Sequence, residues 1–186
     1  MVAERRRDRQ REHRREALER LLDQARVGGL EALDRVDPGC PKGLEDPERL
    51  FFHDHSDLVA GLAEVLERSG LVEACLALAR HLEEDRDHWL RRLQRVAVEP
   101  RLRARSAVLE ADYLEVLADH FRRLGAGGPQ GERIADLEAA CLLGALRGAE
   151  RLWVRNQGRP ILPVLVQEAL AVVWPALYGH ARRHLK

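Results

Sequence analysis

His81, Asp85 and His88 follow one another at spacings of four and three. On a continuous helix this puts two imidazoles and a carboxylate on one face, with Glu84 beside them, and such a set can hold a divalent metal. The competing reading is a solvated polar face, and no second segment supplies matching ligands. His180 and His184 repeat the i, i+4 spacing beside Arg182 and Arg183. His53-Asp54-His55 alternates, as expected of a capping or surface turn. No metal and no cofactor is therefore expected. Covalent chemistry needs a nucleophile beside a base. The serines are Ser56, Ser69 and Ser106, and no G-x-S-x-G elbow, phosphate loop or dinucleotide fingerprint accompanies them. The chain is not expected to be an enzyme.

Three other groups point to binding. Arg5, Arg6, Arg7, Arg11 and Arg14 are part of a run in which residues 1–20 carry eight arginines against five acidic residues. They and Lys42 are candidate phosphate contacts. Glu4, Asp8, Glu12 and Glu16 interleave at helical spacing and also make the run readable as a paired, solvated face. Trp89, Leu93, Val96, Tyr113, Leu117, His120, Phe121 and Cys141 are large or polarisable groups on the middle segments. They would line an apolar pocket with a few polar tips, or pack as ordinary core. Ala140, Gly144 and Gly148 fall at i, i+4 and i+8. Glycine costs about 1 kcal/mol inside a helix relative to alanine, so a strip of small residues there implies close approach of another helix. Leu165, Val166, Ala169 and Val173, on the next segment, complete an expected homodimer interface, the competing reading being burial inside the monomer.

The elements that must position these groups read as helices throughout. Residues 4–26 form an amphipathic helix with Leu18, Leu21 and Leu22 on one face. A short helix is expected over 30–36. Three prolines and two glycines then break residues 37–47. Helix resumes near Glu48, breaks at 53–55 and restarts behind Ser56. Residues 71–98 form two helices meeting near Asp85 to Asp87. Pro100 opens a helix that runs to Leu124. Residues 125–131 form a loop. Two long helices follow, over about 132–156 and from Pro160 onward, the second bent at Pro175. No strand is expected.

The 186 residues are 45% hydrophobic, 33% charged and of zero net charge, which is ordinary globular composition. Cys40, Cys75 and Cys141 are odd in number and far apart, so no disulfide framework is expected and a reducing cytoplasm is the simplest location. The apolar stretch from Ile161 to Tyr178 carries Gln167, Glu168 and two prolines, against a membrane span.

The order of elements resembles the TetR-like transcriptional regulators. The likeness lies in Leu82-Glu83-Glu84-Asp85-Arg86, in Val96-Ala97-Val98-Glu99-Pro100-Arg101-Leu102-Arg103-Ala104-Arg105, from Leu114 to Gly125, and in the alanine-rich helix before Trp153. It spans roughly residues 50 to 180. The resemblance implies an all-α bundle with a two-fold four-helix dimer interface. It implies an N-terminal helix-turn-helix-like module over 1–50 and a ligand-binding and dimerisation domain over 51–186. It further implies DNA binding modulated by a small hydrophobic ligand. Family members often read Gly-Val-Ser-Lys-Gly-x-Leu-Tyr at the turn and recognition helix. Here Gly39-Cys40-Pro41-Lys42-Gly43-Leu44 occupies that place, followed by acidic Glu45 and Asp46 and then Pro47. The DNA-reading element departs from the pattern. The alternative is therefore a dimeric ligand- or protein-binding module of the same fold without DNA binding.

Overall fold

A computed structural model describes residue 9 and residues 12–23, 47–125 and 127–181. The expected helix over 30–36, most of the proline-rich segment, Cys40 and His184 lie outside the described residues. Every regular element among the described residues is a helix. These are α1 (residues 12–23), α2 (Pro47–Phe51), α3 (His55–Ser69), α4 (Leu71–Glu84), α5 (Arg86–Val98), α6 (Pro100–Leu124), α7 (Pro129–Arg155) and α8 (Leu162–Ala181).

The boundaries follow local chemistry. Gly70, at φ 80°, lets the chain turn between α3 and α4 where a residue with a Cβ would be strained. Asp85, at φ −120° and ψ 50°, is the single non-helical residue between α4 and α5. Pro100 opens α6, where its missing N–H costs nothing. Pro129 does the same for α7 behind Gly128 (φ 96°), so α7 starts three residues before the expected Glu132. The Phe52–Asp54 turn is closed by His53 N–H to Leu50 O and His55 N–H to Phe52 O. Helix α3 accordingly begins at His55, one residue before the expected cap Ser56.

The chain divides into two compact units, residues 1–55 with 91–106, and residues 56–90 with 107–186. In the first, Ala17, Leu18, Leu21 and Leu22 of α1 close on Leu50 and Phe51 of α2, Val96 of α5 and Leu102 of α6, with Phe52 at the edge. The apolar face read in α1 is thus the one that packs. Each large side chain buried this way contributes about 1.5–3 kcal/mol, enough to seat a five-residue helix that cannot persist alone.

In the second unit, α8 packs on α7 and on α4. Ala135, Ala139, Leu142, Leu143, Ala149 and Trp153 form the inward face of α7. The start of α8 is fixed from α4: Glu83 Oε2 accepts the Leu162 backbone N–H at 2.9 Å, while Arg86 Nε donates to Glu83 Oε1 at 2.5 Å. Gly158, at φ 79°, allows the α7–α8 connection to pass over α5, since a Cβ there would come within 2.9 Å of Arg86 Cδ and 3.1 Å of Leu90 Cδ1. Glu83→Ala removes the helix cap and should cost about 1 kcal/mol. The expected drop in Tm is roughly 2–4 °C, with Glu83→Gln, which keeps an acceptor, falling between. Thermal unfolding by circular dichroism checks it, and an unchanged Tm in the alanine variant would contradict the capping role.

Candidate functional site

In the first unit the second half of α5 and the first turn of α6 hold both preceding helices through arginines. Arg91 pairs with Glu19 and Asp23 on α1. Arg101 Nε donates to Glu48 Oε1 of α2 at 2.9 Å. Between them Arg92 makes a fork: its two terminal nitrogens donate to the two oxygens of Asp54, both at 2.7 Å. Arg92 is 3% exposed, and its guanidinium lies 5.8 Å from the Phe52 ring centre. Burial opposes ionisation of Asp54, yet the hydrogen bonds and charge of Arg92 outweigh it and hold the carboxyl below its ordinary value. His53 Nδ1–H donates to Leu50 O at 2.9 Å, and burial lowers the pKa of the ring despite the neighbouring Asp54. The 53–55 turn, expected to be a surface or capping feature, contains the partner of a buried arginine.

Among the proposed phosphate contacts, Arg14 is described and is half-buried on α1. Arg5, Arg6, Arg7, Arg11 and Lys42 lie outside the described residues. The two units differ in charge. The segments of the first hold 18 basic against 14 acidic residues, a net +4, and those of the second hold 13 against 17, a net −4.

The pocket candidates are divided between the two units. Trp89, Tyr113, Leu117, His120 and Phe121 are buried and belong to the second unit. Val96 instead belongs to the core of the first unit, because α5 passes from one unit to the other between Leu90 and Arg91. Leu93, half-buried, falls on the same side as Val96. Cys141 is exposed on α7, whereas Leu142 and Trp153 of the same helix are buried. Around Tyr113 the setting is polar: the Arg147 guanidinium stacks 5.7 Å from its ring centre, with Glu110 at 3.0 Å and Glu150 at 2.6 Å from Arg147 nitrogens. The indole N–H of Trp153 is buried without a hydrogen-bond acceptor. Burial makes Cys75 inert by pushing its thiol up to about 12.

Burial, aided by Arg123, lowers the pKa of His120. The sign follows from linkage. The unfolded chain binds more protons than the folded one below the ordinary imidazole value of 6.5, so stability falls as pH drops from there through the lowered folded pKa. Thermal melts at pH 7 and pH 5 should show a lower Tm at pH 5. His120→Gln, which cannot titrate, should narrow that gap; an unaltered gap would show that His120 does not contribute.

The candidate metal face of His81, Asp85 and His88 meets a break in its helix. The break at Asp85 ends the continuous helix on which it depended: His81 is exposed and His88 buried, each ring edge-on to Trp89. Among the described residues no group of three metal-ligating side chains comes together.

On α7 the small-residue strip faces outward. Ala140 and Gly144 are exposed and Gly148 half-buried, and a Cβ added at Gly144 or Gly148 would meet nothing within 4 Å. Leu137, Cys141 and Leu152 continue the strip, Leu137 being 66% exposed, and on α8 Val172 is 79% exposed. Ala169 and Val173 are half-buried. Leu165 and Val166, also expected in the interface, are buried within the single chain.

Residues 68–177 match the family described as the MftR C-terminal domain, a C-terminal domain of TetR regulators. That is more than half of the chain. The chain belongs to the TetR family. No curated protein and no solved structure gave a match. The TetR match runs from the end of α3 to α8 and leaves the N-terminal helices α1 and α2 outside it. Membership makes the protein a transcriptional regulator in general, and the all-α architecture agrees with it. No helix among the described residues is long and apolar enough to cross a membrane.

Proposed function

We propose that the protein is a homodimeric TetR-type regulator that binds DNA through its N-terminal module and loses or gains that binding when a small hydrophobic ligand enters the C-terminal domain. The observation that carries the DNA part is the charge partition: +4 on the segments of the first unit against −4 on those of the second. A positive module attracts the phosphate backbone while the remaining surface repels it. The dimer part rests on the uncovered apolar strip of α7, which a second copy would cover in a four-helix arrangement. Residues 1–50 would supply the contacts to DNA, with Arg5, Arg6, Arg7, Arg11, Arg14 and Lys42 on phosphates. Residues 51–186 would carry the ligand, with Trp89, Tyr113, Leu117, His120 and Phe121 as pocket candidates. A cytoplasmic location fits this work.

Fluorescence anisotropy tests the proposal. Duplex DNA from upstream of the protein's own gene is compared with scrambled duplex at two salt concentrations. Tighter binding to the upstream duplex at both salts is expected. Equal weak binding that falls steeply with salt would mean that the arginines only attract phosphate. Absence of binding would favour the second reading, a dimeric ligand- or partner-binding module. Its support is Glu48 on α2, which engages Arg101 and adds to the acidic Glu45 and Asp46.

A further inference from the structure

We infer that Arg92 is the positioning residue of the DNA-binding module: through its fork on Asp54 it holds α2 in the place from which α1 and α2 act together on DNA. This rests on the proposed DNA-binding reading. Of the arginines that tie α5 and α6 to the preceding helices, Arg91 and Arg101 are about half exposed, at 47% and 57%, and exposed pairs hold little. Arg92 is different in three ways. It is 3% exposed. Both oxygens of its partner are engaged at 2.7 Å, the planar fork that lysine cannot reproduce. Its cation also faces the Phe52 ring. Asp54 and Phe52 sit in the turn that directly follows α2, and the same helix α5 sends Val96 into the core that seats Leu50 and Phe51. One helix thus fixes α2 from its apolar side and from its C-terminal end. A buried fork sets direction as well as distance, whereas the apolar cluster alone tolerates small rotations.

Arg92 itself is buried and cannot touch a phosphate. Its loss should therefore weaken DNA binding without changing the number of phosphates neutralised. The test uses the full chain as Arg92→Lys, which keeps the charge but not the fork, and Asp54→Asn. Two readouts are taken: anisotropy on the upstream duplex across a salt series, and hydrogen–deuterium exchange of residues 47–55. The expected result is binding weaker by about tenfold or more with an unchanged slope of log affinity against log salt, since removing a direct phosphate contact would reduce that slope by about 1. Exchange over 47–55 should accelerate in both variants while residues 129–177 exchange as in the wild type. Unchanged exchange over 47–55, unchanged affinity, or a reduced salt slope would each overturn the assignment. If the wild-type protein binds no DNA, the functional reading falls and the role in DNA binding falls with it. The exchange data then still report whether Arg92 holds α2, so the two failures are told apart.

Discussion

Gly144→Arg should turn the proposed dimer into a monomer while leaving the chain folded. The position is exposed and on a helix, and among the described residues an added Cβ meets nothing within 4 Å beyond its own stretch of helix, so a side chain there starts into open space. It also removes a helix-interior glycine, which favours the helix by roughly 0.5–1 kcal/mol. In a dimer across the α7 strip, however, two arginines would meet near the two-fold axis, and burying an unpaired charge costs several kcal/mol. A loss of at least about 3 kcal/mol corresponds to a hundredfold or more in the dimer dissociation constant. Sedimentation velocity at micromolar concentration reads it directly. The wild type should run as a dimer of the 21.1 kDa chain, and the variant as a monomer with an unchanged or higher Tm for its helices. Gly144→Ala is the informative control, because a single methyl thickens the strip without charging it and should weaken association far less. A variant that remains dimeric would move the interface off α7.

Phe51→Ala should loosen the core of the first unit. The ring is fully buried among Leu18, Leu21, Leu22 and Val96, and truncating a buried aromatic costs about 3–5 kcal/mol. That is a large share of what a small core supplies. Proteolysis and hydrogen exchange should show α1 and α2 opening, while the α7–α8 packing and the dimer persist. DNA affinity should fall by at least a hundredfold, which about 2.8 kcal/mol represents. Retained DNA affinity would mean that α2 takes no part in it.

The helices were legible where punctuation is chemical. Gly70, Asp85 and Pro100 mark boundaries that a reader of the sequence can find, and the structure places them there. Pro129 carried the same signal and marks the true start of α7. The periodicity of α1 gave the correct inward face, because one apolar stripe on a polar helix has a single burial direction. Helix α8 is apolar on most of its circumference, so spacing could not separate Leu165 and Val166, which face inward, from Val172, which faces out. The metal face of His81, Asp85 and His88 assumed one straight helix, and a single non-helical residue removed it. Arg92 and Asp54 lie 38 positions apart, and no local pattern links them. A fork of this kind depends on how α5 packs against the turn after α2, which is tertiary information.

The most direct test of a dimeric regulator is DNase protection of the DNA upstream of its own gene. Two protected half-sites related by approximate two-fold symmetry are expected, with centres about one helical turn, roughly 34 Å, apart. Gly144→Arg should lose both together. A single protected half-site bound by one chain, or no protection at concentrations that saturate the dimer, would contradict it.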